Sequence, residues 1–276
     1  MRRLLIPLFV GATLTLVARL GALHPIEAIL AGIMLQVNAP PIHLPYPAPP
    51  PPGEWKAMPV PERLQDVQTR LLPQLHAELA LKQLKLGQPA FIRIFKETSE
   101  LELWLRDDAK AWKRFRTYPI ACFSGLLGPK QREGDMQAPE GFYAVTKRLL
   151  NPASSYHLAF NIGYPNAYDL HHLRTGNLIM IHGDQVSIGC FAMTDPIIEE
   201  IYAITAAALE KGQTEVSVHS FPFRMTEARM QQARAGGSPW LAFWENLREG
   251  HDLFETSGKP PAVVLEQDRY SFQLPP

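Results

Sequence analysis

The residues first able to do chemistry are an imidazole and a thiol eight positions apart, in His182-Gly183-Asp184-Gln185-Val186-Ser187-Ile188-Gly189-Cys190. A free cysteine is only partly thiolate at neutral pH, and a histidine that takes its proton makes it a nucleophile. Gly183 and Gly189 let backbone approach a ligand closely, and Ser187 offers a hydroxyl able to orient a ring or a substrate. A buried cysteine is most often a small hydrophobe, but the glycine bracket and the serine favour catalysis over that alternative. In this reading Cys190 is the nucleophile and His182 the general base and acid, with Gly189 and Cys190 N–H groups as oxyanion donors.

Such a pair needs rigid elements on both sides. Leu178 to Ile181 reads as a buried strand feeding His182. Ile197, Ile198, Ile201, Ile204, Ala208 and Leu209 recur at helical spacing after Cys190, with Asp195 placed to cap the start and Gly212 to end it. Upstream, Pro61 to Leu86 reads as one helix or two separated near Pro73. Phe91 to Phe95 and Leu101 to Leu105 alternate as paired strands around a Thr98-Ser99 turn. Further strands are expected at Phe115 to Phe123, Phe142 to Leu150, His157 to Ile162 and Glu215 to Ser220. Thr226 to Ala235 and Trp240 to Leu247 look helical, and Val263 to Leu265 with Tyr270 to Phe272 suits a closing hairpin. The fold class is therefore α+β and rich in strand.

The N-terminus belongs to another environment. Met1-Arg2-Arg3 precedes an uncharged run from Leu4 to Ala18, the pattern of an export signal. Val37-Asn38-Ala39 has the small residues of a cleavage site, and Ala28 to Val37 is apolar again. Residues 1–38 are thus a signal peptide or an uncleaved membrane anchor, although neither run reaches the roughly 20 apolar residues of a comfortable span. Ala39 to Pro52 holds eight prolines, which favours an extended spacer with a reach of about 40 Å at ~3.1 Å per residue. The expected organisation is a signal or anchor (1–38), a Pro-rich linker (39–60), a helical lead-in (61–88) and a catalytic domain with C-terminal helices (89–276).

His-Gly followed by Ser-x-Gly-Cys resembles the signature of the L,D-transpeptidase catalytic domain, the YkuD-type fold. Five further segments resemble its YafK-like subgroup: Gly128 to Asp135, Pro139 to Tyr143, Asn161 to Asp169, Cys190 to Thr194 and Pro222 to Thr226. The resemblance runs from about Phe91 to Tyr270 and implies a sandwich-like β core. It also implies a cysteine nucleophile acting on peptidoglycan stem peptides, in the periplasm of a Gram-negative bacterium. In most of the family the His-Gly lies farther from the cysteine, and a second histidine stands where this chain has Ile188; the subgroup shares both departures. The subgroup is associated with hydrolysis that frees a Braun-type outer-membrane lipoprotein, by cutting its lysine side-chain amide to diaminopimelate. Transpeptidation, whether forming 3-3 cross-links or attaching lipoprotein, is one alternative; a non-catalytic wall-binding module is another.

Such a substrate carries many carboxylates, so Arg132 and Lys130 are candidates to meet them, and Tyr143 and Tyr164 to line a groove. Gly183 and His172 complete the substrate-binding candidates, and His171 or His172 could orient His182. Adjacent histidines do not form a helical-face metal pair, so neither metal nor cofactor is expected. Balanced charge, 27 basic against 27 acidic residues, argues against nucleic acid as a partner. Membrane contact is expected only through the N-terminal segment. For Cys122 three readings stand: an inert buried thiol, which is preferred, a reversible lock on Cys190, or a structural disulfide without catalysis.

Overall fold

A computed structural model describes residues 34–36 and 44–274 of the chain. The two segments expected as paired strands form β2 (Ala90–Phe95) and β3 (Glu100–Arg106), antiparallel from Ala90↔Leu105 to Phe95↔Glu100. With β4 (Trp112–Pro119), β6 (Gly141–Val145) and β11 (Val216–Phe221) they make a five-stranded sheet in the order β4-β3-β2-β11-β6. Every residue of β2 is buried, because both faces of this sheet are covered. Ile92, Ile94 and Val218 join the main core, while Phe95, Phe142 and Phe221 join a second cluster with Trp244 and Leu247.

A six-stranded sheet carries the chemistry. Its order is β1 (Met34–Gln36), β5 (Cys122–Ser124), β10 (Phe191–Ala192), β9 (Met180–His182), β8 (Ala159–Asn161) and β7 (Leu150–Asn151). The run Phe115 to Phe123, expected as one strand, changes sheets midway. Pro119 ends β4; then Ile120 N–H donates to Ser99 O at 2.8 Å and Ala121 N–H to Ala192 O at 2.8 Å. Phe142 to Leu150 is divided likewise, by a short 3-10 turn at Lys147–Leu149. Apolar periodicity reports burial but not which sheet supplies the partner.

The helices close both faces. Among the described residues the N-terminal pair is α1 (Pro52–Ala57) and α2 (Val60–Leu81), and α2 runs unbroken through Pro73. Its buried stripe of Val67, Leu71, Leu75 and Leu79 packs into the core while Pro73 is exposed. Packing thus outweighs the lost hydrogen bond. Then follow α3 (Ala167–His171), α4 (Asp195–Glu210), α5 (Glu227–Ala235) and α6 (Leu241–Ser257). Helix α6 continues past the expected end at Leu247, burying Gly250 and Phe254 under the sheet. The hairpin of β12 (Ala262–Glu266) and β13 (Arg269–Gln273) closes the chain.

The segment expected as a spacer is docked where it is described. Leu44 is buried in the main core, Tyr46 Oη donates to Glu200 Oε1 at 2.7 Å, and Arg70 donates to Pro47 O at 3.2 Å. The linker expectation is therefore corrected from Leu44 onward: prolines extend the backbone, but Leu44 and Tyr46 give it side chains to bury. Residues 34–36 of the expected signal or anchor form β1 beside β5; the rest of that segment and its cleavage site lie outside the described residues. No helix among the described residues is long and apolar enough to cross a membrane.

Candidate active site

Strand β9 ends on His182, and β10 begins one residue after Cys190. The two strands are parallel neighbours, Phe191 opposite Ile181 and Ala192 opposite His182. Parallel neighbours ordinarily need a crossover of a dozen residues or more. Here residues 183–190 suffice because the strands are only three and two residues long. The loop returns far enough to set Cys190 against the start of β9. Its Sγ accepts from Met180 N–H at 3.3 Å and donates to Leu178 O at 3.5 Å.

The turn that ends on Cys190 is tied together internally. Ser187 Oγ donates to Cys190 O at 2.7 Å and accepts from Gly189 N–H at 3.2 Å. This corrects two expectations: Ser187 orients the turn and not a ring or ligand, and the Gly189 N–H is already engaged. Gly189 has φ +137°, with Ile179 Cδ1 at 3.5 Å the nearest atom to a Cβ built there. Backbone conformation, not crowding, is what calls for glycine at this position.

His182 is buried, and its Nδ1 lies 2.5 Å from Gly183 O. A carbonyl only accepts, so Nδ1 carries the proton and Nε2 is left as an acceptor able to serve as a base. Tyr156 lies against the ring, with centroids 4.8 Å apart and planes 35° apart. Burial pushes the imidazole below its usual range, although the Gly183 carbonyl and the charges of Asp184 and Asp195 oppose this. Burial also pushes the Cys190 thiol up, against the Met180 N–H and the positive charge of Lys130. Both groups therefore rest neutral at pH 7, and the arrangement suits proton transfer during attack better than a preformed ion pair.

The other candidates divide sharply. Gly183 is packed against protein and not open to a ligand: a Cβ there would fall 2.5 Å from Asp195 Oδ1 and 2.7 Å from Tyr156 O. Tyr143 is a core residue whose hydroxyl donates to Glu140 O at 3.1 Å. Tyr164 is buried too and donates to Thr175 O at 3.2 Å. Neither lines an open groove, since aromatic bulk was needed inside. Lys130 is buried, its ammonium spent on Asp135 at 2.5 Å and Arg132 O at 2.9 Å. Arg132 is exposed, with no side-chain partner among the described residues. His172 contacts Asp268 O at 2.8 Å, in the turn of the C-terminal hairpin, and His171 is exposed. Neither is the partner of His182. Cys122 and Cys190 are both free, and Cys122 is fully buried with its thiol pushed up. A structural disulfide is thereby excluded from this conformation.

Sequence reasoning missed three groups. Lys96, fully buried, shares its three ammonium protons among Leu126 O, Gly128 O, Ala138 O and Glu140 Oε1, all 2.8 to 3.0 Å from Nζ. It fixes the loop whose Gln137 carbonyl stands 3.7 Å from the Cβ position of Gly189. Trp55 and Asp195 meet at 3.0 Å beside the His182 turn. Nothing local marks these residues, because each acts on a partner distant in sequence. Asp195, expected to cap α4, is instead the first residue of the helix after the N-cap Thr194, and its carboxylate serves the indole and the Asp184 N–H.

Residues 89–218 match the L,D-transpeptidase catalytic domain, YkuD. A protein of Escherichia coli strain K12, provisionally named L,D-transpeptidase YafK, is 46% identical over 194 residues, covering 70% of this chain and 78% of that protein. The chain belongs to the L,D-transpeptidase family. Its counterpart in E. coli O157:H7 matches to the same extent. Among solved structures, the Campylobacter jejuni helical cell shape determining protein Pgp2 is similar over 60% of this chain and 56% of that one, at 22% identity and TM-score 0.40. Bdellovibrio bacteriovorus Bd1075 is similar over 67% and 83%, at 18% identity and TM-score 0.37. Likenesses this slight do not bear on activity. The family implies a peptidoglycan substrate, and the matched segment contains both His182 and Cys190.

Proposed function

We propose that this protein is a cysteine-dependent peptidoglycan amide hydrolase of the periplasm, exported by its N-terminal segment. Its substrate is the diaminopimelate–lysine amide that joins peptidoglycan to an outer-membrane lipoprotein. The observation that carries the reading is that one short strand, β9, ends on an imidazole whose Nδ1 is committed to Gly183 O and has a thiol laid against its first residue, Met180. Sγ attacks the amide carbonyl as Nε2 takes its proton. The oxyanion faces the N–H of Cys190, since that of Gly189 is engaged; one such donor contributes about 3 kcal/mol to lowering the barrier. Collapse breaks the C–N bond, and Nε2–H delivers the proton to the leaving lysine amine. The thioester is then attacked by water that has given a proton to Nε2, the C–S bond breaks, and the thiol is re-formed.

Ile188 supports water, not an amine, as the second nucleophile. It is 78% exposed in the nucleophile turn and can neither hold charge nor deprotonate an incoming ammonium. Transpeptidation is the second reading, favoured by the name its E. coli relative bears. Incubating the full chain with lipoprotein-bearing sacculi, with Cys190→Ala as control, separates the two by mass spectrometry. Free lipoprotein ending in lysine is expected; new diaminopimelate–diaminopimelate links without released lipoprotein would establish the transpeptidase.

A further inference from the structure

The peptide unit between Gly183 and Asp184 is bonded at both ends. Its carbonyl accepts from His182 Nδ1, and its N–H donates to Asp195 Oδ1 at 2.7 Å. The other carboxylate oxygen, Oδ2, accepts from the indole N–H of Trp55 at 3.0 Å. We propose that Asp195 is the positioning acid of His182, acting through this peptide unit, and that Trp55 of α1 fixes Asp195 in that role. The inference rests on the reading of His182 as the base.

A carboxylate that accepts from a peptide N–H polarises the whole amide and leaves its carbonyl a stronger acceptor. In the serine hydrolase arrangement an aspartate meets Nδ1–H directly and stabilises the imidazolium as it forms. Here one amide stands between the two. The surroundings are built for this. Asp184 is held at φ +62°, a conformation non-glycine residues rarely adopt, and its carbonyl accepts from Thr194 N–H at 2.9 Å, so the start of α4 grips the turn twice. Gly183 leaves no room for the turn to shift toward Asp195. Trp55 is 1% exposed and lies before the matched segment 89–218. Arg63 of α2 covers its ring at 4.9 Å and donates to His157 O at 3.0 Å, steadying the loop that lays Tyr156 on the imidazole. Trp55 and Arg63 thereby tie α1 and α2 to the turn that carries His182.

The groups facing the pair are Asp184, Asp195 and Tyr156 at His182, and Lys130 at Cys190. The test needs no substrate: alkylation of Cys190 by iodoacetamide, followed across pH by mass spectrometry on the full chain. Asp195→Asn keeps the shape, but an amide offers one acceptor oxygen to two donors. Its alkylation at pH 7 is expected to fall about tenfold, equivalent to one unit of lost imidazolium stabilisation, and to converge on the wild-type rate in alkali, where the thiolate forms unaided. Trp55→Phe is expected to shift the curve in the same direction by less. Curves superimposable on the wild type, or a uniform loss at every pH, would overturn the proposal. Should neither variant fold, nitrogen NMR of the wild type decides: His182 protonated at Nδ1 between pH 6 and 8 supports it, and protonation at Nε2 ends it. Absence of product from sacculi would defeat the hydrolase reading alone, since neither readout involves turnover.

Discussion

The two halves of the site are held in opposite ways. Cys190 is fixed by its own neighbourhood: Ser187 and Gly189 within the turn, Met180 at the start of the adjoining strand and Leu178 just before it. His182 is fixed from afar, by Asp195 at the head of α4, Trp55 in α1 and Tyr156 on the loop before β8. A nucleophile can be set by a short sequence, whereas a base whose proton affinity must be tuned in a buried place draws on several elements.

Removing either reacting atom should erase the contrast. Cys190→Ala is expected to abolish release from sacculi while leaving thermal unfolding near that of the wild type; turnover by this variant would end the nucleophile assignment. His182→Ala should cost about 10²- to 10⁴-fold in kcat, the usual worth of a positioned base. Next comes Gly183→Ala, which strikes the His182 half alone. Its new methyl meets a carboxylate and a carbonyl, so calorimetry should show a stability loss of about 1–3 kcal/mol, together with reduced kcat. On the other half, Ser187→Ala removes two hydrogen bonds within the turn and should cost roughly 1–2 kcal/mol; a larger effect than Gly183→Ala would invert the comparison.

The smallest expected effects concern protons. Burial lowers the imidazole, so His182 stays an acceptor below the ordinary value of about 6.5, and the acid limb of the kcat profile should lie under that pH. The linkage has the matching sign: an unfolded chain binds a proton at His182 that the folded one refuses, so stability falls as pH drops through ~6.5. Cys122→Ala should leave activity unchanged in oxidising buffer; a gain of activity there would revive the redox lock.

Legibility in the sequence follows the same divide. The thiol, the imidazole and the strand that ends on it stand within a dozen residues, and local spacing is enough to find them, although the strand expected at Leu178 to Ile181 begins only at Met180, and Leu178, at φ +54°, is exposed. Helices α2 and α4 announced themselves through their apolar stripes. What could not be read depends on pairing between distant segments. Tyr143 and Tyr164 look like groove aromatics until the core claims them. Lys130 looks like a free cation until Asp135, five residues on, takes its charge. Trp55 sits in a helix of six residues with no periodicity to mark it. The break at Pro119 was visible as a proline, but not as a passage between sheets.

The ladder between β9 and β10 has one more implication. Two paired positions are too few to specify register by themselves, and a slip of one residue would turn each side chain of a strand to the opposite face. The alignment is held by the span of the segment 183–190 and the Ser187 clasp within it, together with Ala192 opposite Cys122 on β5 and the Met193 N–H donating to His182 O. Loop length is therefore a catalytic parameter in its own right. Adding or deleting a single residue there would bring Gly189 or Phe191 level with Met180 and retire the thiol from the site, with every side chain of the pair still present.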